Sequence, residues 1–135
     1  MISSVVFINQ KGEILIYRVF KDDITRAETQ LFCSQIVATK ENRDNPILFL
    51  EGVSYIHVAH KDLILLATTK TNVNVAMALQ FLYQLIFICK AYFGGELNEE
   101  EVKKNFSLVY EILDEVMDFG CPQIMDPEVL KKFIQ

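Results

Sequence analysis

Ser54-Tyr55-Ile56-His57-Val58-Ala59-His60-Lys61-Asp62-Leu63-Ile64-Leu65-Leu66-Ala67-Thr68-Thr69 holds two runs of β-branched, aromatic and aliphatic residues parted by Lys61-Asp62. Each run has the length of a strand, and a two-residue polar break between them closes a hairpin. A third extended run, Ile47 to Leu50, precedes them across Glu51-Gly52, so three strands follow one another as antiparallel neighbours.

Working back toward the start, Ile2 to Ile8 and Glu13 to Phe20 read as two more strands, separated by the turn cluster Asn9-Gln10-Lys11-Gly12. In the second of them Ile14, Ile16 and Arg18 alternate with Leu15, Tyr17 and Val19, so both faces are largely apolar. A sheet apolar on both faces must be covered on both. A helix lies between the two groups of strands. Thr25-Arg26-Ala27-Glu28 has capping-box spacing, and Ile24, Ala27, Leu31, Ser34 and Ala38 recur at helical steps. The helix is expected to end near Lys40, before the polar loop Lys40 to Pro46.

Working forward, the remainder is helical: Val73 to Phe93, a Gly94-Gly95 break, Asn98 to Phe119, and a short helix from Asp126-Pro127. Asn98 precedes Glu99, Glu100 and Glu101, a cap followed by acids that suit the positive end of a helix. The predicted order is therefore β-β-α-β-β-β-α-α with a short final helix, an α+β domain over residues 1–135 with helices on both sheet faces.

No charged residue occurs among the 19 from Thr71 to Cys89, but Thr71, Asn72, Asn74, Gln80 and Gln84 interrupt the run. A buried helix fits better than a span, which needs about 20 predominantly apolar residues. Val75, Leu79, Leu82, Ile86 and Phe93 make one stripe for the sheet, widened by Ala78, Leu85 and Cys89. Met77, Phe81 and Ile88 form a second stripe, and Phe87 sits beyond the glutamines. Two readings stand for that surplus: packing against the next helix, or contact with another protein.

The whole chain carries a net charge of −5, which argues against binding nucleic acid or an anionic membrane through bulk charge. Residues 1–90 hold nine basic and eight acidic residues, whereas residues 91–135 hold four and ten. The acid excess thus belongs to the last third, where Glu111, Asp114, Glu115 and Asp118 line one helix face and Val109, Ile112, Leu113 and Val116 another. Cys33, Cys89 and Cys121 are widely spaced in apolar surroundings, as buried reduced thiols of a cytosolic protein would be. The first residues lack the basic region of a secretory signal.

Catalytic patterns are missing: no G-x-S-x-G, no phosphate-binding loop, no dinucleotide fingerprint. His57 and His60, three apart on one strand, fall on opposite faces and cannot share an ion. Acids on a regular helix lack the turn glycines and carbonyls of a hard-cation loop. No enzyme, metal, cofactor or small-molecule substrate is expected.

The run Asn105-Phe106-Ser107-Leu108-Val109-Tyr110-Glu111-Ile112-Leu113-Asp114-Glu115-Val116-Met117-Asp118-Phe119-Gly120-Cys121-Pro122-Gln123 resembles the signature of the medium (mu) chains of clathrin adaptor complexes, with cysteine at 121 in place of the usual tyrosine. Tyr110, Glu111, Leu113, Asp114, Glu115, Asp118, Gly120 and Pro122 carry the match. Further agreement runs through Ile14-Leu15-Ile16, Lys21-Asp22-Asp23, Ala67 to Asn74, Phe81-Leu82-Tyr83 and Ala91-Tyr92-Phe93-Gly94. Lys70 to Met77 is most similar to mu chains of adaptor protein complex 2, the plasma-membrane endocytic adaptor. The Asp118-Phe119-Gly120-x-Pro122-Gln123 ending speaks against a small (sigma) chain.

The resemblance implies a longin-like amino-terminal domain: a five-stranded antiparallel sheet, one helix on one face and the later helices on the other. It implies a non-enzymatic subunit of a cytoplasmic heterotetramer, bound to coated pits or vesicles through the complex and acting in endocytosis and vesicle transport. The expected partner is the helical solenoid trunk of the large beta-type subunit, met through Met77, Phe81, Phe87 and Ile88, with the cargo-binding domain outside this chain. Tyr110-Glu111-Ile112-Leu113 mimics a tyrosine-based sorting signal, but Ile112 and Leu113 in the core stripe make it structural. Two alternatives stay open: a stand-alone longin module for a SNARE or small GTPase, and a mu chain of the trans-Golgi/endosomal adaptor.

Overall fold

A computed structural model describes residues 2–37, 46–70, 74–118 and 121–122. Strands β1 (Ser4–Asn9) and β2 (Ile14–Val19) form the first hairpin, and α1 (Arg26–Phe32) follows, running on through a π-helical turn at Cys33–Val37. Strands β3 (Ile47–Leu50), β4 (Val53–His60) and β5 (Leu63–Thr69) come next. The chain continues through α2 (Val75–Tyr92), α3 (Glu99–Lys104), α4 (Phe106–Val116) and the short pair β6 (Met117–Asp118) and β7 (Cys121–Pro122). The five long strands make one antiparallel sheet in the order β2-β1-β5-β4-β3. The two most buried strands, β1 and β5, lie at its centre, while β2 and β3 are the edges.

The turns explain the register. Glu51 and Gly52 both have positive φ, 50° and 82°, the backbone of a two-residue turn whose twist matches its strands. Leu50 therefore faces Val53, and the hairpin continues to Ile47 opposite Ile56. The pairing of β1 with β5 joins residues some sixty positions apart, Ser4 opposite Thr68 and Asn9 opposite Leu63, with the Ser4 and Thr68 hydroxyls hydrogen-bonded inside the sheet. No local pattern announces that pairing.

Both sheet faces are covered. Val5, Phe7, Ile16, Ile56, Val58, Leu65 and Ala67 point toward α2, α3 and α4, and share a cluster with Leu82, Leu85, Val109, Ile112 and Leu113. Val6, Ile8, Tyr55, Ile64 and Leu66 point the other way and pack with Ile24, Phe32 and Cys33 around α1. His57 falls on the α1 side, its ring centroid 5.1 Å from that of Phe32 in an edge-on contact, in keeping with the alternation read from the sequence.

The expected capping box is present: Thr25 Oγ1 accepts from Ala27 N–H, and the Glu28 carboxylate accepts from Thr25 N–H at 2.9 Å. The Thr25 hydroxyl also donates to that carboxylate at 2.6 Å, and this bond, helped by the backbone ones, holds Glu28 below the usual carboxylate range. Glu99 is lowered likewise, first by a hydrogen bond from Asn9 and then by one from Lys103. A carboxylate depressed in the folded state stabilises it above the unfolded pKa and loses that contribution as pH falls through the folded one. Glu28→Gln and Glu99→Gln are thus expected to flatten the fall of stability between about pH 5 and pH 3, read by urea melts across that range. Thr25→Ala should cost about 1 kcal/mol in the same melts.

Three boundaries differ from expectation. The helix expected from Val73 starts at Val75, because the Asn74 side chain accepts from Met77 N–H and so caps it there. The helix expected over Asn98 to Phe119 is two helices broken at Asn105. Its side-chain amide donates to the Glu101 carbonyl at 2.8 Å, while its own N–H reaches both Glu101 and Val102 carbonyls. A side chain competing for a helix carbonyl ends the regular ladder, and Val109 N–H restarts it on the Asn105 carbonyl. The second of these helices stops at Val116, and Met117 and Asp118 turn extended to pair with Pro122 and Cys121. The loop expected over residues 40–45, the pair Phe119-Gly120 and the final helix from Asp126 lie outside the described residues.

Candidate interaction surface

Helix α2 is long and apolar enough to cross a membrane by length and composition, yet Ala78, Phe81, Leu82, Leu85, Ile86, Ile88 and Cys89 are buried within the domain. The core helix of a packed domain meets the same criterion. Its outward face presents Ala76, Met77, Gln80, Tyr83, Gln84 and Phe87 at helical steps. Tyr83 and Phe87 are 60% and 63% exposed and Met77 43%. This face carries no charge over three turns, which is unusual for a helix face in water.

The four expected interface residues divide. Met77 and Phe87 lie on the exposed face, whereas Phe81 and Ile88 are 2% and 0% exposed and belong to the core. The physical reason is that α2 lies on β4 and β5 and its inner side chains share one buried cluster with the sheet and with α4. For Phe81 and Ile88 the packing reading therefore holds. Tyr83 was missed; its register with Met77, Gln80 and Phe87 was the available signal, hidden by its place beside the buried Phe81-Leu82.

The signature helix is pinned to the edge of the sheet. Leu113 is fully buried with Val109, Ile112 and Val116. Asp114 pairs with Arg18 of β2 at 2.7 Å, both side chains about half exposed, so the pair is worth no more than about 1 kcal/mol. Glu111 and Glu115 are exposed. The Tyr110 hydroxyl accepts from Tyr17 N–H at 3.2 Å and donates to the Tyr17 carbonyl at 3.3 Å, a structural use of that tyrosine. Asp118 and Pro122 enter the β6–β7 pair, and Gly120 lies outside the described residues.

Two clefts open on the surface beside β2. One of about 390 Å³ is lined by Lys11, Gly12, Ile14, Arg26, Gln30, Cys33 and Ser34. A second of about 270 Å³ is lined by Ile14, Leu15, Val102, Lys103 and Phe106. The first lining holds Cys33 and Ser34 but no His, Asp or Glu, and the second holds neither Ser nor Cys. Burial raises the Cys33 thiol pKa, and it pushes Cys89 up to about 12. A thiol so held is expected to stay unalkylated by iodoacetamide near pH 8 until the domain unfolds, as site-resolved mass spectrometry of Cys89 would record. Among the described residues no group of three or more His, Cys, Asp or Glu side chains could hold a metal ion.

A five-stranded antiparallel sheet between one helix and three, with an uncharged aromatic helix face, defines a longin-like α+β domain. The chain belongs to the clathrin adaptor complex small chain family, which it matches over residues 1–134. It is 42% identical over 134 residues to the AP-2 complex subunit mu of Caenorhabditis elegans, covering 99% of this chain and 30% of that protein. The AP-1 complex subunit mu of Dictyostelium discoideum is 41% identical over 132 residues, with 98% and 31% covered. The AP-2 complex subunit mu of the same organism is 37% identical over 134 residues, with 99% and 30% covered. The chain thus spans about 30% of the length of these relatives. Among structures, a chain of the "Homology model of the full-length AP-3 complex in a stretched open conformation" superposes with a TM-score of 0.74 at 14% identity, covering 98% of this chain and 90% of that one. That likeness concerns the fold alone.

Proposed function

We propose that this chain is the amino-terminal assembly domain of a mu-type adaptor subunit, non-enzymatic, joining its heterotetramer by docking on the large beta-type subunit. Membership of the adaptor family supports a role in vesicle trafficking. The observation that carries the docking reading is the uncharged outward face of α2, with Met77, Tyr83 and Phe87 exposed on one side of a rigid helix. Interface centres are depleted of charge and rich in aromatic and methionine side chains, and a solenoid's concave wall suits a helix face of this kind. In this reading the domain acts in the cytoplasm, reaches coated membranes only through the complex and needs no cofactor. Identities of 42% and 41% to AP-2 and AP-1 subunits support an endocytic and an endosomal adaptor almost equally.

The test is capture by a beta-type trunk. Tyr83→Asp with Phe87→Asp should reduce co-purification at least about tenfold, since two interface aromatics each contribute on the order of 1–2 kcal/mol, while circular dichroism stays unchanged. Undiminished capture of a folded double variant would remove α2 from the interface.

A further inference from the structure

We propose that the cleft between the first hairpin and α1 binds a small phosphate monoester. Lys11 of the β1–β2 turn and Ile14 of β2 line this 390 Å³ space from the hairpin, and Arg26, Gln30 and Cys33 line it from the helix. Those three follow one another at steps of four and three, so α1 and its π-helical continuation turn one face toward the hairpin. The cleft belongs to the α1 side of the sheet, opposite the α2 side invoked for docking, and its occupancy does not depend on that reading.

Charge points to the ligand. The chain has a net charge of −5, yet this lining holds two cations and no carboxylate. Arg18, Lys21, Lys61, Lys103 and Lys104 each meet a carboxylate, whereas Lys11 and Arg26 have no ion-pair partner among the described residues. Glu99 feels the Lys11 charge, but its carboxylate is already bonded by Asn9 and Lys103. Arg26 is steadied from one side: its guanidinium carbon lies 5.1 Å from the centre of the Tyr17 ring, which occupies one face of the planar group and leaves its N–H edge for an anion. Two positive charges match a phosphate monoester, which carries about −1.5 to −2 near pH 7, better than they match a single carboxylate. A rigid guanidinium fork and a flexible ammonium together suit its three terminal oxygens. The volume lies within the range of small-molecule sites, about 300–1,000 Å³, and Ile14 and Cys33 offer apolar surface to the organic part of the ester.

The test is a titration of the isotope-labelled chain with glycerol 3-phosphate, followed by amide shifts, with acetate at equal ionic strength as the comparison. The expected result is saturable movement of the Gly12, Gln30 and Ser34 amides with a Kd of about 1 mM or tighter, and at least tenfold weaker binding of acetate. Lys11→Gln, on an exposed turn where folding is not at stake, should weaken binding several-fold. Lys11→Gln with Arg26→Gln should weaken it at least tenfold while circular dichroism stays unchanged. Flotation with phosphatidic-acid vesicles separates two sources of the same ester: co-flotation lost in Lys11→Gln assigns a lipid headgroup, and glycerol 3-phosphate binding without co-flotation assigns a free ester. Both outcomes are occupied forms of this site. No saturable shift, shifts centred elsewhere on the domain, or binding undiminished in the Lys11 variant would overturn the site. Acetate binding as tightly as glycerol 3-phosphate would overturn the phosphate as its ligand.

Discussion

Phe81→Asp is expected to unfold the domain, and Phe87→Asp, six residues along the same helix, to leave its melting temperature within a few degrees of the parent. Phe81 is 2% exposed in the cluster that joins α2 to the sheet and to α4, whereas Phe87 is 63% exposed. Truncating a buried phenylalanine costs about 3–5 kcal/mol before any charge is considered. Placing a carboxylate there adds several kcal/mol more, whether it stays ionised without a partner or is forced to protonate. The total approaches or exceeds the roughly 5–15 kcal/mol by which domains are stable. Circular dichroism and thermal melts of the two variants are the measurement. A folded Phe81→Asp variant would refute the burial described for α2, and an unfolded Phe87→Asp variant its exposed face. The same contrast governs the docking test, because loss of capture by a Phe81 variant reports only unfolding.

Phe32→Ala should cost about 3–5 kcal/mol and lower the melting temperature by roughly 10–20 °C. The ring is wholly buried between the sheet and α1, stacked on Tyr55 at 5.7 Å and 14° and meeting His57 edge-on at 5.1 Å and 62°. Among the described residues the layer on this face consists of α1 and its π-helical continuation, so one side chain carries a large share of its packing. Aromatic pairs add about 0.5–1.5 kcal/mol beyond area burial, which places this substitution at the upper end of its range. Burial also pushes the Tyr55 hydroxyl up to about 12, with Glu28 and Glu51 adding to it. In the variant that pKa should move back toward 10, as ultraviolet titration would follow. A stability loss under about 1 kcal/mol would mean that α1 is not held by this ring.

Much of the architecture is legible in the sequence. Five strands in the order β-β-α-β-β-β, the capping box at Thr25, the caps at Asn98, and coverage of both faces of the sheet all recur in the fold. These features are local, written into period, turn chemistry and cap residues that depend on near neighbours alone. The family was legible as well, because the run around Tyr110 to Asp118 matches as a string of residues whatever its geometry.

What stayed hidden depended on contacts between distant parts of the chain. Asn105 was read inside one long helix, and only its bonding to Glu101 reveals the break. Met77, Phe81, Phe87 and Ile88 look alike as apolar residues outside the main stripe of a helix. Periodicity places each on an arc of that helix but cannot say how much of the arc a neighbour covers, and Phe81 and Ile88 are buried in the cluster that also holds side chains of the sheet and of α4. Tyr110, similarly, could be assigned to a helix and a signature, while its hydroxyl's place on Tyr17 depends on docking between elements more than ninety residues apart.

The sequence by itself determined the strands, the helices, the apolar identity of their inner faces and the adaptor family, because each rests on residues close together along the chain. The tertiary structure alone decided that β1 lies beside β5, that half of the proposed interface residues are core, and that the Tyr110 hydroxyl sits on Tyr17 at the β2 edge. Those are matters of which surfaces meet, and surfaces meet only after loops have brought together residues that no local pattern connects.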